Sequence, residues 1–314
     1  MKKRNALVIG ATGLLGYNAT LKLVENGWKV KAIGIENLDS SNFFPPSVQY
    51  ICGDFYNEDL LKECLVDIDK VFYFLSTTFP SSSSTSLELE INRSVKGLDY
   101  LLRTMNKANV KSIVFPSSGG TIYGNVKSGL AKETDPKKPI SPYGFGKKIC
   151  EDILLFYSYT GISCTILRVG NVYGSSFYRN VNQGVIDLFV QKALQGETLS
   201  IWNNALHNER DYIFVDDFAE AVASVAEIDE KGFNVYNVGS GVGVTLSTII
   251  EIINKNCKEH LNIEYLKNDT SSSIERVVLD ITKLCIKTGW HPFYDIESGI
   301  VETIKRKKAK RELL

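Results

Sequence analysis

The chain has 314 residues, 44% of them hydrophobic and 11% aromatic, with 36 Lys and Arg balanced by 36 Asp and Glu. A formal net charge of zero and a pI near 6.8 give no global attraction for a nucleic-acid backbone or an anionic membrane, so any phosphate recognition is local. A chain of this length buries enough surface for one large core or two shared ones without disulfide staples.

In chain order, Met-Lys-Lys-Arg at residues 1–4 and the apolar stretch to Leu15 imitate a signal peptide. Glycines at 10, 13 and 16, and the lack of a small-x-small cleavage site, point instead to a strand running into a helix. Apolar runs at 6–9, 30–35, 71–75, 112–115 and 164–169 alternate with amphipathic stretches at 14–25, 59–65, 87–105 and 143–159. This rhythm predicts an α/β fold, a Rossmann-type doubly wound parallel sheet with helices on both faces. After Gly170 come a stretch rich in Asn, Gly and aromatics (171–179), a helix at 185–195 and strands at 210–215 and 235–238. No apolar run reaches the ~18 residues that span a bilayer.

The six cysteines (52, 64, 150, 164, 257, 285) and three histidines (207, 260, 291) lack zinc-ligand spacing. They read as reduced, packed thiols in a cytoplasmic protein with no metal site. The serine-rich run 81–86 reads as a polar loop, with a phosphate or substrate role as the alternative at a strand's carboxyl end. The basic run 305–311 reads as a solvated or frayed terminus.

Gly10-x-x-Gly13-x-x-Gly16 lies between the first strand and the first helix, where glycines permit a tight turn and close approach of a pyrophosphate to the helix N-terminus. The second strand ends either on a neutral loop at Gly34 or on a carboxylate at Glu36 that would bond a ribose hydroxyl, and residues 32–42 contain no Lys or Arg to pair with a 2′-phosphate, so NAD is expected rather than NADP. Asp54 either accepts from the adenine amino group or serves as a turn or cap residue. The candidate cofactor-binding residues are Gly10, Thr12, Gly13, Leu14, Leu15, Gly16, Glu36, Asp54, Phe55, Leu75, Ser76 and Thr77, together with Tyr143 and Lys147. The expected division is an NAD-binding domain at 1–170 with a returning segment at about 211–238, and a smaller C-terminal substrate-binding domain from 171–210 and 239–314.

Tyr143 and Lys147 stand one helical turn apart, a spacing that arises by chance in a chain with 15 tyrosines and 36 basic residues. Behind a nucleotide-binding βαβ unit and the strand-end segment Ser117-Ser-Gly-Gly-Thr-Ile-Tyr-Gly124, the pair carries more weight. With Leu167-Arg-Val-Gly-Asn-Val-Tyr-Gly174, Arg210-Asp-Tyr-Ile-Phe-Val-Asp-Asp217 and Asn237-Val-Gly-Ser-Gly241, the chain resembles the extended short-chain dehydrogenase/reductases over nearly its whole length. Among these it is similar to the sugar-nucleotide epimerase/dehydratase family that includes UDP-glucose 4-epimerase.

The resemblance implies that Tyr143 is the general acid or base and that Lys147 lowers its pKa and holds the nicotinamide ribose. It also implies that a hydroxyl near residue 118 bonds the reacting sugar oxygen, and that Asn171 and Arg210 contact the substrate diphosphate. Counted back from Tyr123, the family's usual catalytic hydroxyl falls on Gly119, so either Ser118 or Thr121 substitutes or that hydrogen bond is missing. Gly120 and Thr121 stand where dehydratases carry an Asp-Glu pair and decarboxylases a Glu, which removes the proton-transfer groups of both reactions. Ser94 aligns with a helix asparagine usual near the centre, and Thr270 with an expected arginine for which Arg276 is the available substitute. Val277, three residues before Asp280, stands where the epimerases set the room around the sugar's C2 substituent.

The expected activity is NAD-dependent C4 epimerisation of a UDP-hexose or UDP-N-acetylhexosamine through a 4-keto intermediate. The alternatives are a 4-keto sugar-nucleotide reductase and a non-catalytic NAD-binding sensor. The expected partner is a small-molecule UDP-sugar, with no nucleic acid and no membrane, in a homodimer formed through helices 87–105 and 143–159.

Overall fold

The computed structural model describes residues 4–37, 43–76, 86–174, 184–257, 260–267 and 274–312. β1 (Asn5–Ile9) runs into α1 (Leu14–Glu25), followed by β2 (Lys29–Gly34), β3 (Val48–Cys52), α2 (Glu58–Cys64), β4 (Lys70–Tyr73) and α3 (Leu87–Lys107). β5 (Ser112–Ser118) ends in the short α4 (Gly119–Ile122), and α5 (Pro142–Ser158) leads to β6 (Ser163–Val169) and β7 (Asn171–Tyr173). The remainder comprises α6 (Val185–Gln195), β8 (Thr198–Trp202), β9 (Glu209–Phe214), α7 (Val215–Ala226), β10 (Phe233–Val238), β11 (Gly243–Thr245), α8 (Leu246–Asn256), β12 (Asn262–Leu266), β13 (Arg276–Val277), α9 (Thr282–Thr288) and α10 (Ile296–Glu312).

Seven strands form one parallel sheet in the order β3-β2-β1-β4-β5-β6-β10. Side-chain alternation along β1 explains the two helical layers. Ala6 and Val8 enter a core with Ala19 and Leu23 of α1 and Phe218 and Val222 of α7. Leu7 and Ile9 enter the opposite core with Leu61 of α2, Leu98 and Leu101 of α3, and Leu154 of α5. Strands buried on both faces read as continuous apolar runs, which is how 6–9 and 164–169 stand in the sequence. The order in which strands are added switches from one side of β1 to the other at β4, and open sheets of this kind place ligands in the crevice outside the carboxyl ends of the strands there.

The second half builds a smaller sheet around β9, with β11 antiparallel to it and β7 and β13 parallel. A two-stranded ribbon pairs β8 with β12. Their core gathers Phe189 and Val190 of α6, Ile249 and Ile253 of α8, and Ile300 and Ile304 of α10. Within the returning segment 211–238, α7 and β10 lie with the large sheet, whereas β9 belongs to the smaller one. The basic run at 305–311 corrects the expectation of a frayed end. It belongs to α10, where Arg306 grips both carboxylate oxygens of Asp216 at 3.0 and 2.6 Å and Lys307 reaches Asp187 at 3.4 Å. Among the described residues no helix is long and apolar enough to cross a membrane.

A buried polar network ties the sheet edge to the helices. Arg168 on β6 donates from Nε and Nη2 to the two oxygens of Glu151 on α5, at 3.0 and 2.8 Å, and from Nη1 to the Tyr123 hydroxyl at 2.9 Å and the Glu133 carbonyl at 2.9 Å. Tyr123 donates in turn to Asn237 Oδ1 of β10 at 2.7 Å. Glu151 is fully buried and Arg168 4% exposed; Lys137 also approaches Glu151 at 3.4 Å, but Arg168 has no second carboxylate among the described residues, so removing Glu151 strands the guanidinium. Glu151→Gln should lower the unfolding free energy by about 3–5 kcal/mol in urea titration, and a loss below about 1 kcal/mol would show that the pair is not the buried unit described here.

Candidate active site

The carboxyl ends of β1, β4, β5 and β6 deliver the candidate groups to one side of the sheet. Gly10 follows β1 with φ +79°, a backbone conformation that strains any residue with a Cβ. A Cβ there would lie 2.7 Å from the Leu75 amide nitrogen, so the first turn and the end of β4 are in direct contact. Gly16 presses against the Gly10 carbonyl. Gly13 caps α1 with no side-chain hydrogen bond, and the first intrahelical bond runs from Tyr17 N to Gly13 O at 2.9 Å. The opening amides, at Leu14, Leu15 and Gly16, thus form a helix end uncapped by any side chain, and the chemistry of that end suits a diphosphate. Thr12 lies beside Gly34 at the end of β2. The residues present therefore fit a dinucleotide.

Glu36 stands two residues beyond β2, its carbonyl accepting from the Tyr50 hydroxyl at 2.7 Å. Asp54 takes the turn role, Oδ1 accepting from Tyr56 N at 2.9 Å, while the cap of α2 is Asn57. Phe55 turns its ring into the core against Tyr56 and Tyr73, at 4.3 and 6.0 Å between centroids. Leu75 and Ser76 continue from β4; Thr77, residues 81–85 of the serine run and Thr270 lie outside the described residues.

α5 begins where Ser141 accepts from Gly144 N at 3.2 Å and Pro142 occupies the first turn, a strong N-terminal signature. Its first turns place Tyr143 and Lys147 on the face toward β5. Lys147 is 7% exposed; Nζ donates to the Pro116 carbonyl at 3.0 Å and lies 4.8 Å from the Phe115 ring centroid and 5.7 Å from that of Tyr143. Burial pushes the ammonium below its ordinary pKa, with Cys150, Glu90 and Glu151 pulling it back.

Tyr143 differs from the expectation of a lowered pKa. In the protein chain by itself, burial pushes the phenol above its ordinary value, Glu90 and Cys150 add to the rise, and a hydrogen bond with Ser118 opposes it. The physical reason is that Lys147 reaches past the ring to the Pro116 carbonyl, while the phenol loses water.

Of the two candidate hydroxyls, Ser118 is the one that meets Tyr143. Thr121 Oγ1 is buried with no hydrogen-bond partner among the described residues, and its Cβ packs toward Gly144. A side chain at Gly119 would meet Leu279 Cδ1 at 2.7 Å and the Arg168 carbonyl at 2.9 Å, so the position has no room for a hydroxyl-bearing residue without a shift of its neighbours. Asn171 lies beside Gly120, its Oδ1 at 3.3 Å from where a Cβ would be. Arg210 is farther along the small sheet, on β9, bonded to the Glu209 carbonyl at 3.2 Å and to the Ile274 carbonyl. Arg276 is committed elsewhere, to Glu209 Oε2 at 2.8 Å and the carbonyls of Val126 and Gly129 at 3.1 and 2.6 Å. Val277 is 1% exposed and packs with Ile122, Tyr123 and Ala131.

One group at the centre had no sequence signal of its own. Glu90, in the first turn of α3, is 1% exposed and lies against Gly146 between Tyr143 and Lys147. Ser94 donates to its Oε1 at 2.6 Å.

The sequence matches the NAD-dependent epimerase/dehydratase family over residues 6–239. It is 28% identical over 300 residues to a putative UDP-glucose 4-epimerase of Methanocaldococcus jannaschii, covering 95% of this chain and 96% of that one. It is 25% identical to a dTDP-4-dehydro-6-deoxyglucose reductase of Escherichia coli, covering 98% and 99%. Its fold superposes on a UDP-glucose 4-epimerase of Thermotoga maritima solved with UDP-glucose, with a TM-score of 0.87, 27% identity and coverage of 98% and 99%. The chain belongs to the NAD-dependent epimerase/dehydratase family, and NAD is its cofactor.

Proposed function

We propose that the protein inverts C4 of a UDP-hexose or UDP-N-acetylhexosamine through a 4-keto sugar. The observation that carries this reading is the Ser118–Tyr143–Lys147 cluster at the end of β5, with Gly120 and Thr121 where an acid pair would be needed for dehydration. NAD, when bound, supplies hydride acceptance and return at C4. Tyr143 takes the C4 hydroxyl proton and later returns one to the same oxygen. Ser118 bonds that oxygen and steadies the phenol. Lys147 keeps a positive charge behind the phenol ring. Asn171, beside Gly120, and Arg210 on β9 hold the diphosphate.

A second reading, reduction of a 4-keto sugar nucleotide, is favoured by the similarity to the Escherichia coli reductase, and needs the same Tyr143 as proton donor. The same proposal includes a homodimer through α3 and α5, supported by the exposed Phe145, Phe156 and Tyr159 at 38, 62 and 80%. Sedimentation at the single-chain mass would remove the dimer.

Incubation with a panel of UDP-hexoses and no added cofactor, followed by NMR, should show C4 inversion, and denaturation of the protein should release NAD. Stoichiometric oxidation of added NADH by a 4-keto sugar nucleotide, with no epimer interconversion, selects the reductase instead. Tyr143→Phe should lower turnover at least about a hundredfold; near-normal activity would sink the assignment. Ser118→Ala should cost about tenfold or more in kcat, whereas Thr121→Val should stay within about threefold. The reverse order would transfer the role to Thr121.

A further inference from the structure

An acidic residue in the first turn of a helix ordinarily faces water and complements the helix dipole. Glu90 is instead almost fully buried, with its side chain laid across α5. The crossing is close enough to require glycine: a Cβ at Gly146 would lie 2.8 Å from both Cγ and Oε1 of Glu90. One turn along α3, the Ser94 hydroxyl donates to Oε1 at 2.6 Å, and its carbonyl meets Cys150 Sγ at 3.7 Å. Tyr143, Gly146, Lys147 and Cys150 follow one another at helical spacing along α5, so a Glu90–Ser94 ledge faces a Tyr143–Lys147–Cys150 stripe.

The charged and titratable groups on this ledge can be named from each packed element. α5 presents Tyr143, Lys147 and Cys150, with Glu151 beyond them. Arg168 of β6 neutralises Glu151. Tyr73 of β4 lies behind Cys150, whose thiol burial pushes up to about 12, so it is neutral at ordinary pH. Among the described residues, the charges closest to Tyr143 on this ledge are thus the Glu90 carboxylate and the Lys147 ammonium.

We infer that Glu90 is a positioning residue that sets the protonation of the Tyr143–Lys147 pair, fixing Lys147 as an ammonium and holding Tyr143 as a phenol in the resting protein. A buried ammonium loses hydration and regains stability from a nearby carboxylate. The same negative charge, packed from α3 against Gly146 and so within one turn of Tyr143 along α5, opposes a phenolate there. The pair therefore rests ready to donate a proton, and the half-reaction that must remove one from a sugar hydroxyl starts from the less favoured state. This inference rests on Tyr143 being the acid–base group.

The test is Glu90→Gln, which keeps the shape and the Ser94 contact. Tyrosinate absorbance is titrated with pH in the purified, full-length protein, and the Tyr143 signal is isolated by subtracting the Tyr143→Phe protein in each background. Removal of the carboxylate should move the Tyr143 transition to lower pH by about one unit, and the acid limb of kcat/KM should move with it. Coincident titrations of the parent and the E90Q protein overturn the inference, as does an equal loss of rate at every pH, which would mark a packing role only. Normal turnover by Tyr143→Phe would overturn the functional reading instead, so the two failures are distinguishable.

Discussion

Removing the Lys147 ammonium from water is the constraint around which the centre is arranged. Among the described residues, Nζ donates to the Pro116 carbonyl at 3.0 Å, and this backbone acceptor on β5 fixes α5 against the strand. That bond sets the height of Tyr143 relative to Ser118, because both pairs join the same helix to the same strand end. A cation held at low dielectric also makes every neighbouring carboxylate consequential, since charges interact far more strongly there than in water.

Close approach is the second theme, and the glycines show where it is used. Gly10 lets the end of β1 touch the end of β4, Gly119 yields space to Leu279 and the Arg168 carbonyl, and Gly146 lets α3 lean onto α5. Each lets a group from a distant part of the chain come within van der Waals reach of the backbone. The arrangement leaves small clearances around the reactive segment, and core packing at such density resists changes of even a methylene.

Much of this was legible in the sequence. The apolar runs of the first half become the strands of the large sheet, and Gly10-x-x-Gly13-x-x-Gly16 does sit between β1 and an uncapped α1, since turn glycines and buried parallel strands leave strong local signals. The basic run near the C-terminus misled because local charge says nothing of the acidic partners Asp216 and Asp187 that dock it. Ser118 and Thr121 could not be separated by counting, because the choice depends on which hydroxyl the turn of α4 aims at α5. Arg276 illustrates the same limit: its commitment to Glu209 and two loop carbonyls is a tertiary fact. Glu90 was invisible for a related reason, as its role depends on a crossing with Gly146 that no local pattern encodes.

The Tyr123 hydroxyl also bears on the order in which the molecule is completed. Its acceptor, Asn237, lies 114 residues later in the chain and is itself anchored to the Ala131 and Asp280 carbonyls at 2.8 and 3.0 Å. During synthesis, a chain that has not yet reached β10 holds six of the seven strands of the large sheet but lacks the acceptor for Tyr123 and the strand that covers β6. Contacts of such sequence separation form late because the loop must close before they can stabilise anything. The turn that follows Ser118 therefore completes its buried hydrogen bonds only after more than a hundred further residues have been made, so a nascent chain carries Tyr123 and Arg168 before it holds the acceptor that joins them to the edge of the sheet.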